Sequence, residues 1–127
     1  MEYRTMEKLG VSVSLLGFGC MRFPTIEGKI DEEKSFAMID EAIKGGVNYL
    51  DTAYPYHNGE SETFVGKVLK RHDRSKLFVA TKLPCWDVKS IDDAKRIFNE
   101  QLNRLGTTYI DFYLLHSLSR NSYNKMK

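Results

Sequence analysis

The sequence predicts an α/β fold, a parallel sheet built from repeated strand–helix units, and three observations carry that prediction. Apolar, strand-sized runs start near residues 17, 48, 77 and 109, at spacings of 31, 29 and 32 residues, the length of one strand, one helix and short connections. Between the last two runs, Ile91, Ala94, Ile97, Phe98, Leu102 and Leu105 fall largely at spacings of three and four, the pattern of a helix with one apolar face. All three prolines, Pro24, Pro55 and Pro84, lie in loops after strands, as does Tyr56, while Asp51, Lys82 and His116 stand at strand ends. Chemistry gathered at the carboxy-terminal ends of parallel strands is the rule of a (β/α)8 barrel, the TIM barrel. A doubly wound dinucleotide-binding sheet shares the strand–helix rhythm. However, Gly17-Phe18-Gly19-Cys20-Met21-Arg22 lacks the third glycine of that fingerprint and does not open directly into a helix.

Residues 2–9 and 11–15 show partial alternation around Gly10 and suggest a short hairpin. Residues 15–19 are predicted as the first strand of the sheet, followed by a loop with Pro24 and Gly28. Asp31 caps a helix that runs through about residue 44, with Ala37, Ile39, Ala42 and Ile43 as its apolar content and Gly45-Gly46 as its stop. Val47-Asn48-Tyr49-Leu50 is short and apolar enough for a buried strand, and Asp51 closes it. Pro55 and Asn58-Gly59 supply the stiff and permissive backbone of the next loop. Ser61 is predicted to be the N-cap of a helix to about residue 71, with Glu60 and Glu62 suited to its positive end. After a polar turn at His72-Asp73-Arg74-Ser75, residues 77–81 form a strand that delivers Lys82. A loop with Pro84, Cys85 and Trp86 follows. Ser90 with Asp93 reads as an N-cap and its third-position acid, and the helix they open ends at Gly106. Residues 109–115 then deliver His116, and residues 117–127 are polar and unpatterned.

A chain of 127 residues with 42% hydrophobic content describes one globular unit with enough apolar side chains for a core. A complete barrel takes about 250 residues. The expectation is therefore a partial TIM barrel: residues 1–127 as an amino-terminal half, a hairpin plus roughly the first four parallel strands with their helices. The net charge of +2, from 19 basic and 17 acidic residues spread along the chain, leaves no basic tract and argues against nucleic acid. Neither terminus has an apolar run of signal-peptide or membrane-span length, so the expected location is cytoplasmic, without a membrane partner. Cys20 and Cys85 both fall just beyond predicted strands at one rim, where a disulfide or half a metal site is conceivable. A reducing compartment and the absence of CxxC spacing favour two buried thiols and no metal.

The Asp, Tyr, Lys and His at these strand ends resemble the catalytic tetrad of the aldo-keto reductases. The family's Asp-Thr-Ala-x-x-Tyr motif stands here as Asp51-Thr52-Ala53-Tyr54-Pro55-Tyr56. The resemblance extends from Leu15-Leu16-Gly17-Phe18-Gly19-Cys20-Met21 to His116, and is closest to the bacterial branch whose longer members carry a ferredoxin-like tail. It implies a hairpin that plugs the closed end of the barrel and a nicotinamide dinucleotide cofactor, NADP(H), with NAD(H) as the alternative. It also implies that Gly19, Cys20 and Met21 approach the cofactor, that Asp51 lies beside the nicotinamide, and that the substrate is a small-molecule carbonyl.

Reduction of an aldehyde or ketone to an alcohol by hydride transfer develops negative charge on oxygen, which must receive a proton. Tyr56 is the expected donor. A free phenol has a pKa of about 10, so a cation that stabilises phenolate tunes it, and Lys82 fits that role. Asp51 holds the ammonium in place, and His116 hydrogen-bonds to the carbonyl oxygen and orients it. Taken singly, each residue has a plainer role: Asp51 as a loop cap, Tyr56 as rim packing, Lys82 as a solvated charge, His116 as a partner for backbone. Taken together, the four favour function. His57 is placed at the substrate mouth and His72 in solvent, while Tyr54 and Trp86 are either an apolar wall or ordinary packing. Two other functions stay open: a nicotinamide-binding regulatory or structural protein, and a barrel aldolase using Lys82 as a Schiff-base nucleophile. A half-barrel is also expected to have open edges that self-associate and little activity of its own.

Overall fold

The computed structural model describes residues 1–126. Strands β1 (Tyr3–Met6) and β2 (Val11–Ser14) pair antiparallel, with Tyr3 opposite Ser14 and Met6 opposite Val11. This hairpin sits at the amino-terminal end of the main sheet. The Ser14 N–H donates to Asn48 Oδ1 (2.7 Å), the Asn48 N–H to Ser14 Oγ (3.1 Å), and the Tyr3 hydroxyl to the Gly46 carbonyl (2.9 Å).

The chain continues through β3 (Phe18–Gly19), β4 (Thr25–Ile26), β5 (Lys29–Ile30), α1 (Glu32–Lys44), β6 (Tyr49–Asp51) and α2 (Glu60–Arg71). It then forms β7 (Phe78–Leu83), α3 (Ile91–Leu105), β8 (Phe112–Leu115) and α4 (Arg120–Met126). The main sheet has four strands in the order β3-β6-β7-β8, every neighbouring pair parallel. Parallel strands in chain order, separated by helices, are the layout of a (β/α)8 barrel, and four of its eight strands are here.

Successive strand residues face opposite sides, and this alternation decides where the chemistry goes. Leu50 of β6 and Val79 of β7 are fully buried against the helices, in a cluster with Ile39 of α1, Phe64, Val65 and Val68 of α2, and Leu105 of α3. Each such side chain contributes about 1.5–3 kcal/mol when fully buried. Asp51, next to Leu50, and Lys82, three residues after Val79, therefore point to the other, inner face. Asp31 caps α1 by accepting from the Lys34 N–H (3.3 Å), Ser90 caps α3 by accepting from the Asp93 N–H (3.2 Å), and Gly106 ends α3 at φ 62. All three agree with the sequence.

Several elements differ from expectation. The first strand is only Phe18–Gly19, and Leu15 and Leu16 are 58% and 64% exposed. The Leu15 N–H goes back to the Glu2 carbonyl and Ser14 Oγ donates to the Leu16 carbonyl, which takes both residues off the parallel ladder. The expected loop around Gly28 contains the hairpin β4–β5, turned by Glu27 (φ 52) and Gly28 (φ 80) in the two positive-φ positions of a tight hairpin. Ser61 is not an N-cap. A turn over Tyr56–Gly59, left-handed at His57 and Asn58, brings the chain to Gly59 at φ 90, which is the cap, and α2 starts one residue before Ser61. The last strand starts at Phe112, because the Tyr109 carbonyl accepts from Arg74 Nη2 and the Asp111 carboxylate accepts from the Val79 N–H. Within residues 117–127 the chain forms α4, opened by Ser119 accepting from the Ser122 N–H; residue 127 lies outside the described residues.

Helices α2 and α3 meet at Gly66, where an added Cβ would stand 2.6 Å from the Arg104 carbonyl oxygen and 2.9 Å from Leu105 backbone atoms. Backbone cannot give way as a side-chain tip can. Gly66→Ala is expected to destabilise the fold by about 1–3 kcal/mol, measured as a lower urea midpoint with unchanged slope.

Candidate active site

Asp51 ends β6, Lys82 is the penultimate residue of β7, and His116 follows β8, its N–H donating to the Leu83 carbonyl at 3.0 Å. The Lys82 ammonium donates to Asp51 Oδ1 (3.1 Å), Asp51 Oδ2 (3.2 Å) and the Thr52 carbonyl (2.7 Å). Through these contacts the Lys82 ammonium is held between the Asp51 carboxylate and the Thr52 backbone. Its side chain is 13% exposed and that of Asp51 36%. Lys82 Nζ lies 5.0 Å from the centroid of the Tyr56 ring, and Tyr56 stands edge-on to His116 at 6.0 Å. Trp86, 54% exposed, packs edge-on against the same imidazole at 5.0 Å. All four sequence-predicted tetrad residues are thus brought together.

Tyr56 and His116 open onto a cavity of about 450 Å³ lined also by Met21, Pro55, His57, Asn58 and Trp86, while Asp51 and Lys82 stand behind Tyr56 and do not line it. That volume suits a small organic ligand. His116 Nδ1 is buried without a hydrogen-bond partner among the described residues. Burial, followed by the positive charge of Lys82, holds the His116 pKa below its ordinary value, with Asp51 opposing.

The nicotinamide dinucleotide that the resemblance implies is tested by the same residues, and they fit its reactive end. Gly19 pairs with Asp51 in the sheet register, is exposed, and has nothing within 4 Å of an added Cβ, which leaves room for a ligand against the backbone. Met21 is 50% exposed at the cavity rim. Cys20 is turned inward: its N–H donates to the Asp51 carbonyl (2.8 Å), its carbonyl accepts from Ser61 Oγ (2.8 Å), and burial pushes its thiol pKa up. Both cysteines are free and buried, as expected.

His57 does line the mouth, where its Nε2 accepts from the Phe23 N–H at 2.9 Å. It has φ 53 and the next residue, Asn58, φ 55, a left-handed backbone that costs a non-glycine residue about 1–2 kcal/mol. His72 is not in solvent, because its Nε2 meets Asp40 Oδ1 at 2.7 Å. Tyr54 packs away from the cavity, with its hydroxyl on Glu100 (3.0 Å) and the Arg104 guanidinium 4.1 Å from its ring centroid. Lys82 Nζ is turned onto the Asp51 carboxylate and the Thr52 carbonyl and does not line the cavity, which is not the placement of a Schiff-base nucleophile.

The sequence did not reveal the group that supports Lys82 from behind. Gln101 Nε2 donates to the Lys82 carbonyl (2.9 Å) and to Glu62 Oε2 (3.0 Å), while Thr81 Oγ1 (2.8 Å) and Arg104 Nη1 (3.2 Å) complete the partners of Glu62. The Tyr113 hydroxyl closes the network on Gln101 Oε1. Burial foremost raises the Glu62 pKa, although Thr81, Arg104 and Gln101 pull the other way. One signal was available: Gln101 stands midway between Ile97 and Leu105, four residues from each, a polar side chain on a buried helix face.

Fold and site together define part of a (β/α)8 barrel, four parallel strands with a polar cluster at their carboxy-terminal rim. The profile of the aldo/keto reductase family matches residues 15–125, and the chain belongs to that family. It is 40% identical over 123 residues to the uncharacterized oxidoreductase YqkF of Bacillus subtilis, a match covering 86% of this chain and 38% of that protein. Aldo-keto reductase AKR11C1 from Bacillus halodurans, in its holo form, superposes with a TM-score of 0.77 at 39% identity, covering 90% of this chain and 40% of that one. An aldo/keto reductase from Klebsiella pneumoniae in complex with NADP and acetate gives a TM-score of 0.71 at 26% identity, covering 84% and 36% of the two chains. The chain thus spans less than half the length of these relatives. Among the described residues no helix is long and apolar enough to cross a membrane.

The electrostatics of the rim are open to titration. Because Lys82 lowers and Asp51 raises the His116 pKa, Lys82→Met is expected to move the His116 imidazole titration upward and Asp51→Asn downward, followed by NMR. The stability linked to neutral His116 is complete above the ordinary histidine value of about 6.5 and is lost as pH falls through the lower folded value. Unfolding free energy measured across that window should therefore depend less on pH in Lys82→Met.

Proposed function

We propose that this chain carries the catalytic rim of a nicotinamide-dependent oxidoreductase that reduces aldehydes or ketones to alcohols, with NADP(H) as cofactor and NAD(H) as the alternative. The observation that carries this reading is the Lys82 ammonium, clamped by Asp51 and set over the Tyr56 ring, with His116 edge-on to that same ring. The NADP complex of the Klebsiella pneumoniae relative supports the choice of cofactor.

The bound cofactor supplies the hydride. Tyr56 gives its phenolic proton to the carbonyl oxygen as charge develops there, and the Lys82 ammonium stabilises the phenolate left behind. Asp51 keeps the ammonium in register through two contacts at 3.1 and 3.2 Å. His116, kept neutral by burial and by Lys82, donates a hydrogen bond to the carbonyl oxygen without competing with Tyr56 as an acid. Trp86 and Met21 supply an apolar rim that turns a small substrate toward these groups. Gly19 and Met21 offer the surface for the cofactor, with Cys20 holding the loop from within.

In the full-length protein, Tyr56→Phe is expected to lower kcat/KM for a panel of aldehydes and quinones by about 100- to 10,000-fold, while quenching of NADPH fluorescence on binding is retained. Normal reduction by that variant would assign the proton to another group. Residues 1–127 by themselves are proposed to be the amino-terminal half of an aldo-keto reductase barrel in the cytoplasm. Unpaired edges at β3 and β8 favour self-association, and a rim displacement of about 1 Å costs about 100-fold in rate. Gel filtration with a turnover assay tests this, and a compact monomer with full NADPH-dependent turnover would overturn it.

A further inference from the structure

We propose that His57 is a positioning residue. With its proton on Nδ1, it latches the loop after β3, which carries Met21, to the loop after β6, which carries Tyr56, and so fixes the mouth of the candidate active site. The inference deepens the proposed reductase function and rests on it for its kinetic consequence only.

The direction of the hydrogen bond is unambiguous. The Phe23 backbone N–H can only donate, so His57 Nε2, 2.9 Å away, must present its lone pair, and the ring proton sits on Nδ1. The two rings stack, with centroids 5.7 Å apart at 29°. Phe23 is itself anchored, 5% exposed and edge-on to Phe64 of α2 at 4.9 Å. The latch therefore ties the rim to the hydrophobic core.

The backbone of His57 points the same way. At φ 53 and ψ 44 it occupies a conformation in which glycine is at ease and a β-carbon is not. A side chain kept there must be held by its contacts, and the Phe23 N–H and ring are those contacts. Were His57 only a loop filler, glycine would serve better.

The other end of the same loop is pinned independently. Cys20 donates its N–H to the Asp51 carbonyl and accepts from Ser61 Oγ, both at 2.8 Å. Between the pins at Cys20 and Phe23 only Met21 and Arg22 are left, both exposed, with Met21 on the cavity rim beside Tyr56 and His57. Removing the His57 end frees Met21 and Arg22 to swing about Cys20, and it also releases the residue adjacent to Tyr56.

The test is amide hydrogen exchange together with kinetics on the full-length protein and its His57→Gly and His57→Gln variants. His57→Gly suits the left-handed backbone, so the fold is retained while the acceptor is lost. Exchange at Phe23 is expected to rise about tenfold in His57→Gly, with Val79, whose N–H is held by Asp111 Oδ2 at 2.8 Å, unchanged as the control. His57→Gln, whose amide oxygen can accept the same N–H, should restore most of the protection. In wild type, side-chain 15N spectra should show the proton on Nδ1 of His57. For carbonyl reduction, kcat is expected to fall about tenfold in His57→Gly and to recover in His57→Gln, as displacement of a reacting group predicts. Unchanged Phe23 exchange in His57→Gly, or a proton on Nε2, would overturn the latch. Faster exchange with unaltered kcat would overturn the positioning role. If the full-length protein reduces no carbonyl at all, the proposed function fails while the exchange data still decide the latch.

Discussion

The buried carboxylate of Glu62 is the constraint on which the rest of this structure depends. It has no exposed surface, and an unpaired carboxylate in that position costs several kcal/mol. Thr81 from β7 and Gln101 and Arg104 from α3 supply the hydrogen bonds that make it tolerable. Removing one partner of such a group typically costs about 3–5 kcal/mol, because the charge stays buried without its counterpart. The carboxylate therefore does more than join two helices. Arg104 continues to the Tyr54 carbonyl and to Glu100, Gln101 continues to the Lys82 carbonyl and Tyr113, and Gly66 lets the backbones of α2 and α3 come close enough for all of this to meet.

Strand β7 joins this interior network to the rim. Thr81 faces the helices and bonds Glu62, while Lys82, the next residue, faces the inner side and bonds Asp51. A slip of one residue in the pairing of β7 with β6 would exchange these two faces and put the lysine into the apolar core. The register of Leu50 with Val79 and of Asp51 with Ala80 is therefore as much a condition of the site as of the fold. Burial of Leu50 and Val79 supplies the driving force, and the polar groups on either side supply the specificity.

The loops at the rim are tied down by contacts that differ in kind from those of the sheet. Ser61 donates to the Cys20 carbonyl and shares a hydrogen bond with Thr52 Oγ1 at 2.8 Å, joining three segments through one buried hydroxyl. At the opposite end of the strands, Asn48 holds β2 through its side chain and backbone, and Arg74 bridges the Leu77 and Tyr109 carbonyls and the Asp111 carboxylate. Loops carrying function on a rigid parallel sheet have this character: the sheet fixes where a strand end lies, and single side chains fix which way the next residues turn.

Much of the architecture was legible in the sequence, because the signals that carry it act over short distances. The repeat spacing gave the parallel strands, Asp31, Ser90 and Gly106 gave helix ends, and the strand-end residues gave the cluster of Asp51, Tyr56, Lys82 and His116. What escaped was decided by partners remote in the chain. Ser61 reads as an N-cap because a serine near acids usually is one, yet its hydroxyl serves Cys20, 41 residues earlier. Glu62 reads as a charge at a helix start, and only the arrival of α3 turns it into the centre of a buried network, through Arg104 42 residues later. His72 reads as solvated until α1 brings Asp40 against it. A cap or a periodicity is settled within one or two turns of backbone. The partner of a buried polar group is settled only when helices and strands from distant parts of the chain have packed, since desolvation then leaves each group to be satisfied by whatever the fold has placed beside it.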